Sequence, residues 1–324
     1  MIQKIKNSFY NLSTVFISII IVLLFIEIVL NIKNKIILDY DIEMWKYAKK
    51  LKEPHSNKKI NHIHKKNSSA KLQNTKISIN SYGFRGSNFN LNDWNEADKK
   101  ILFLGSSVTL GWGVDENYIL TSNIEKLAKK DGKNWEIINA GVGNYNTQRY
   151  INSYFEFYDK FNPNLIIVQY FVNDAEILTN ERGNFFTRNF HLGVEVWKYI
   201  SLLKDDLKDS NIFDYYNSVY EVEKNKNIVK NELKKLKKHC DLRKIDCILV
   251  FTPDFKLMKK YDLRFINEYI KEICINLNIT FFDLTNKFQD FDSNNITNVE
   301  YNDRHPNVEG HKIMANTIYK YLIN

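Results

Sequence analysis

Cysteine, proline and glycine are all scarce in this chain: three, four and eleven in 324 residues. The cysteines Cys240, Cys247 and Cys274 form no Cys-x-x-Cys pair, and so small and odd a number excludes a disulfide framework. They read as small buried apolar residues. No repeat of fixed period is present, which excludes a solenoid or propeller. No helix-turn-helix, zinc-finger or RNP pattern accompanies the formal net charge of +8, so no nucleic-acid partner is expected. The lysines gather at 46–76 and 225–244; the second cluster has leucines at helical spacing, as the solvated face of a helix does. The shortage of glycine and proline is a compositional bias and implies no function. With 44% hydrophobic and 14% aromatic residues, the chain can bury a sizeable core in one large domain or two smaller ones.

One long hydrophobic run stands out. Leu12 to Ile32 contains a single charge, Glu27. About 20 helical residues at about 1.5 Å each match a hydrocarbon layer of about 30 Å. A cleaved signal peptide is the rival reading, but Lys33-Asn34-Lys35 follows with no small-x-small cleavage site, which favours a retained anchor. Residues 1–11 form a short tail before it. Lys4 and Lys6 precede the span, while Lys33, Lys35, Lys46, Lys49 and Lys50 follow it. A strict charge count keeps the large domain in the cytoplasm, yet long domains translocate largely regardless of charge, so the count does not choose a side. Residues 33–76 are polar and read as a stalk or linker. His55, His62 and His64 lie in it; the His-x-His pair lacks further ligands, and no metal site is expected.

From residue 77 the chain alternates strand and helix signals, opened by the half-buried pattern Lys76–Asn80. Strands are predicted at Ile101–Leu104, Trp135–Ala140, Leu165–Tyr170, Cys247–Phe251 and Ile279–Leu284. Helices are predicted at Asn117–Lys130, Thr147–Phe161, Val222–Arg243, Leu263–Leu277 and Val308–Leu322. Such alternation implies right-handed crossovers and a parallel sheet covered on both faces. An aromatic-rich insertion at 175–220 interrupts the pattern and is too long for a plain loop. It reads either as extra helices packed on the core or as a lid or acceptor surface.

Polar residues cluster where the strands end. The first strand runs into Gly105-Ser106-Ser107, with Gly111 and Gly113 beyond. This is not a Gly-x-Ser-x-Gly elbow, but it presents a hydroxyl at the carboxyl edge, where open α/β sheets keep their ligand crevices. The second strand is followed by Asn139-Ala-Gly-Val-Gly-Asn144, the third by Val172-Asn173-Asp174, and the last helix is preceded by Asp303-Arg-His305-Pro306. Ser107 suits a nucleophile once a base takes its proton. His305, presented from an extended backbone before Pro306, suits that base. Asp303 suits the residue that fixes the imidazole tautomer, provided the local chain turns. The amides near Gly141 and Gly143 and the Asn173 side chain could donate to an oxyanion.

These four blocks, in this order, resemble the SGNH (GDSL-type) hydrolase family. The resemblance covers about Ser81 to Asn324, and Asn80-Ser-Tyr-Gly-Phe-Arg85 is similar to a lead-in of membrane-anchored members. It implies a flavodoxin-like three-layer α/β/α sandwich with a central parallel sheet, here preceded by one transmembrane helix. It also implies no metal, no cofactor, and ester or acyl-transfer chemistry. The implied site is Ser107, Asp303 and His305, with the Ser107 N–H, the Gly143 N–H and the Asn173 side chain as the oxyanion hole. The chain departs from the family pattern at four places. Ser106 replaces an Asp, and Val172 replaces a Gly. Gly143-Asn144 stands where the glycine often falls later, so either amide could donate. The acid lies two residues before His305 where three is frequent. The expected protein is therefore a single-pass membrane esterase or O-acyltransferase acting on acylated glycans or similar esters, its catalytic domain outside the cytoplasm. The alternative is a catalytically silent, anchored module that binds a glycan or partner.

Overall fold

The computed structural model describes residues 2–86, 89–179, 183–206, 212–299 and 303–324. The chain divides into two compact units, 1–46 with 181–209 and 47–180 with 210–324. In the larger unit, strands β1 (Lys52–Pro54) and β2 (His62–His64) pair antiparallel, as do β3 (Ser68–Leu72) and β4 (Thr75–Ile79). Five further strands, β5 (Lys99–Gly105), β6 (Trp135–Gly141), β7 (Leu165–Phe171), β8 (Asp246–Thr252) and β9 (Thr280–Asp283), form one parallel sheet. Its spatial order is β6-β5-β7-β8-β9, so the chain first winds one way from β5 and then crosses back over it. Right-handed crossovers on either side of that reversal put helices on opposite faces of the sheet. Leu120–Lys130 packs on Val308–Ile323, and Glu223–Arg243 packs on Thr147–Ser153 and Arg264–Leu277. This is a three-layer α/β/α sandwich. The apolar run of β7 is buried at all seven positions, as a strand covered on both faces requires.

All five sheet strands coincide with predicted ones to within about two residues, the usual boundary uncertainty. The predicted Thr147–Phe161 helix is irregular. Its α-helix ends at Ser153, a π-turn covers Tyr154–Tyr158 and a 3-10 turn covers Asp159–Phe161.

Two boundaries differ from the sequence reading. The N-terminal tail is not separate, because one helix runs from Ile2 to Ile36. Its Tyr10–Ile36 stretch is long and apolar enough to cross a membrane. Residues 33–76 are not a free stalk either. They contain the helix Tyr40–Leu51 and most of two hairpins, and Tyr47, Leu51, Ile60 and Leu72 are buried. The composition is polar, but these few apolar side chains are spaced to point inward, and that is sufficient to dock a hairpin.

The reversal of strand order fixes the crevice at the carboxyl ends of β5 and β7. Close packing there depends on residues without side chains. A Cβ on Gly105 would lie 2.0 Å from Thr109 Oγ1 and 2.9 Å from the Gln169 carbonyl, and one on Gly141 would lie 2.3 Å from the Leu110 amide nitrogen. The latter contact is with backbone, which has little room to move. Gly141→Ala should therefore destabilise the protein by about 1–3 kcal/mol, as overpacking does, read as a lower urea midpoint.

Candidate active site

The nucleophile loop starts as β5 ends. Ser106 closes the strand and Ser107–Leu110 forms a single helical turn that stops at Gly111, whose φ of 75° is left-handed. A buried polar network holds this turn. The Asn139 side chain donates to the Thr109 carbonyl (2.7 Å) and to Thr121 Oγ1 (3.2 Å), while its Oδ1 accepts from the Gly141 amide (3.0 Å). Thr109 Oγ1 donates to Gln169 Oε1 of β7 at 2.9 Å. Arg85, itself buried, donates to the carbonyls of Leu110 (3.3 Å) and Val114 (3.2 Å) beyond the turn and to those of Ser78 and Lys76 in β4. Burial lowers its pKa to about 10 against the pull of nearby Glu116, so the guanidinium stays charged at neutral pH. The lead-in Asn80–Arg85 thus ends in a clamp on the nucleophile loop.

Ser107, His305 and Asp303 meet. His305 Nε2 lies 2.7 Å from Ser107 Oγ, and His305 Nδ1 lies 2.6 Å from Asp303 Oδ1. Asp303 is buried, whereas Ser107 and His305 are half-buried. Burial pushes the Asp303 carboxyl up. It is outweighed by the charge and ring hydrogen bond of His305, by Gln73 and by the His305 amide, and the net shift is downward. An ionised Asp303 accepts only, so Nδ1–H donates to it and Nε2 is the acceptor for the serine proton.

The chain turns to allow a contact between residues two apart, since the His305 amide also donates to Asp303 Oδ1 at 3.1 Å. The second carboxylate oxygen accepts from Gln73 Nε2 at 2.9 Å. Gln73 is the residue that sequence reasoning missed most clearly, having been placed in the stalk. In the structure Gln73 and Asn74, with φ of 46° and 58°, form the two-residue turn between β3 and β4. The neighbouring Arg304 donates to the buried Asp254 carboxylate at 2.9 Å and ties the histidine loop to the end of β8. Burial raises the Asp254 pKa, with Arg304 opposing.

The proposed oxyanion groups are less uniform. Asn173 is half-buried, and its side chain has no hydrogen-bond partner among the described residues. Beside it, burial drives the Asp174 carboxyl well above its usual range, and its Oδ2 accepts from the Phe171 amide at 3.1 Å. Gly143 is a correction. Its amide donates to Tyr47 Oη at 2.9 Å and is not free to face a substrate in this arrangement. The next residue, Asn144, has φ of 64°, and its amide has no acceptor among the described residues. Tyr47 is fully buried, lies 2.6 Å from His64 Nε2, and packs edge-on against Trp112, which in turn lies against His305. Among the described residues, no group of three or more His, Cys, Asp or Glu is disposed to hold a metal.

Residues 103–313 match the GDSL-like lipase/acylhydrolase family. The chain belongs to this family. It is a hydrolase of that class, and the four blocks that supply Ser107, Asn144, Asn173 and His305 all lie within the matched span. Similar solved structures include an acetyl xylan esterase, AlAXEase (15% identity over 69% of this chain and 99% of that one, TM-score 0.47). Another is the acetylxylan esterase Axe2 of Geobacillus stearothermophilus (14%, 69% and 94%, TM-score 0.47). A third is the psychrotrophic esterase EstA of a Pseudoalteromonas species (13%, 70% and 100%, TM-score 0.43). No curated protein sequence matches the chain. Gln73 and Tyr47 lie outside the family-matched span, so part of the site framework comes from residues that precede that span.

His64 gives this framework a pH signature. Burial lowers its pKa from 6.5 to about 3, so the folded state holds it neutral. Its Nδ1–H donates to the Gly83 carbonyl (3.1 Å) and its Nε2 accepts from Tyr47. The stabilisation is complete above pH 6.5 and is lost as the pH falls toward 3, by about 1.4 kcal/mol per pH unit for one proton. His64→Gln retains an acceptor for Tyr47 and should flatten the stability curve between pH 6 and pH 4 by about one proton's slope.

Proposed function

We propose that this hydrolase is a membrane-anchored serine esterase or O-acyltransferase that works through an acyl-enzyme. The observation that carries the reading is the unbroken relay from Ser107 Oγ through His305 to Asp303. In the acylation step Ser107 Oγ bonds the ester carbonyl carbon, and its proton passes to His305 Nε2. Asp303 holds the ring in position and stabilises the imidazolium. The carbonyl oxygen becomes an oxyanion, toward which we assign the Ser107 amide, the Asn144 amide in place of that of Gly143, and the Asn173 side chain. Each such donor contributes about 2.7–4 kcal/mol to the transition state. The tetrahedral intermediate collapses with loss of the alcohol, which takes the proton from His305. Water or a glycan hydroxyl, deprotonated by the same histidine, then accepts the acyl group and restores Ser107.

Acyl groups on a glycan are the substrate class we favour, supported by the acetylxylan esterases among similar structures; that argument is by analogy. The apolar Tyr10–Ile36 helix supports anchoring, and an extracytoplasmic catalytic domain is our reading for such an anchored enzyme.

The full-length protein in detergent should react with a fluorophosphonate probe at Ser107, and the label should vanish in Ser107→Ala and in His305→Ala. Asp303→Asn should lower turnover of a small aryl ester by about 10⁴-fold. Absence of label on well-folded protein would instead favour the binding-module reading. Release of acyl groups that accelerates with added glycan acceptor would identify transfer.

A further inference from the structure

The unit formed by residues 1–46 and 181–209 contains the apolar N-terminal helix and two helices from the insertion, Phe185–Asn189 and His191–Asp206. Glu27 is the single charge of the apolar run, and it meets the insertion directly. Its two carboxylate oxygens accept from the amides of His191 (2.7 Å) and Leu192 (3.0 Å), the first residues of the His191–Asp206 helix. These amides lie at a helix start and have no partner within their own helix. In hydrocarbon neither amide can be left bare without a large penalty.

The depth of that contact follows from helix geometry. Leu23 is the middle residue of Tyr10–Ile36, and Glu27 lies four residues beyond it, or about 6 Å along the axis. If the stretch is centred in a hydrocarbon layer about 30 Å thick, Glu27 lies about 9 Å beneath its surface. The polar pairs that follow lie farther out. Lys33 bridges to Glu195 at 2.9 Å, and Asp39 pairs with Lys198.

Phe185 and Phe186, which precede the Glu27 contact, are each 66% exposed, and Trp197, Tyr199 and Leu203, beside and beyond the polar pairs, are exposed as well. Ile20, Leu23 and Leu24 of the span share a cavity of about 470 Å³ with Phe186, Phe190 and Trp197. The Phe185–Asn189 helix is capped from within: Asn184 Oδ1 accepts from the Thr187 amide, and Trp45 Nε1 donates to the Thr187 carbonyl.

We infer that the insertion enters the bilayer beside the N-terminal helix at its Phe185–Leu192 end, with lipid acyl chains covering Phe185 and Phe186 and filling the shared cavity. This inference rests on the reading of the N-terminal helix as a membrane span. Continuity supports it: the aromatic residues and the apolar span line one cavity, and the only charge of the Leu12–Ile32 run is consumed in capping the inserted helix. The aromatic insertion is thus a second membrane contact rather than a lid.

The test uses full-length protein reconstituted in phosphatidylcholine vesicles. An environment-sensitive fluorophore is placed on Phe185→Cys or Phe186→Cys, with Ile20→Cys reporting the span and Leu242→Cys a solvent-exposed control (76% exposed). The native cysteines are buried, so the introduced thiols take the label. Doxyl-labelled lipid should quench both insertion sites to the same fractional loss as Ile20→Cys, leaving Leu242→Cys bright. Quenching at Ile20→Cys alone would overturn the inference while leaving the span intact. No quenching at Ile20→Cys would overturn the span and the inference together. Self-quenching at positions 185 and 186 that rises with protein density, without a doxyl effect, would assign the face to a second copy of the chain and overturn the inference.

Discussion

A carboxylate placed out of water must find its partners inside the protein, and the site is arranged around one such group. Asp303 is buried, yet its pKa is held below the ordinary value because both oxygens are engaged: His305 at one, Gln73 at the other. That constraint fixes the imidazole tautomer, and the tautomer in turn aims Nε2 at Ser107 Oγ. The partners come from opposite ends of the unit, a hairpin turn near residue 73 and the loop before the last helix. The relay therefore forms only when the whole sandwich has closed around it.

The nucleophile depends on the same logic in smaller pieces. Gly105 and Gly141 leave no space for a side chain, which lets the Ser107–Leu110 turn lie directly on the ends of β5 and β6. Arg85, Asn139 and Gln169 then satisfy the backbone and hydroxyl groups that such close packing buries. Every strong contact made by these residues is with main chain or with another buried polar group. They act by positioning and are not exposed to substrate.

Much of this was legible in the sequence because it rests on local periodicity. The five strands of the sheet are short apolar runs bounded by turn residues, and Ser107, Asn173, Asp303 and His305 each sit at a strand end or helix start, where ligand crevices form. What was not legible depends on long-range pairing. Residues 33–76 look polar on average, and the few apolar side chains that dock them, Tyr47, Leu51, Ile60 and Leu72, carry too weak a period to register. With that segment went Gln73, the partner of Asp303, and Tyr47, whose hydroxyl takes the Gly143 amide. No local pattern announces either contact. The insertion is a similar case: its aromatic content was visible, but its association with Glu27 was not.

The account stands on a hydrogen bond between an ionised Asp303 and the Nδ1–H of His305, and proton NMR reads that bond directly. A far-downfield imidazole N–H resonance is expected in the wild-type protein, retained in Ser107→Ala and absent in both Asp303→Asn and His305→Gln. If folded wild-type protein shows no such resonance, or if it persists in Asp303→Asn, the two side chains are not coupled in this way and the relay as described is contradicted.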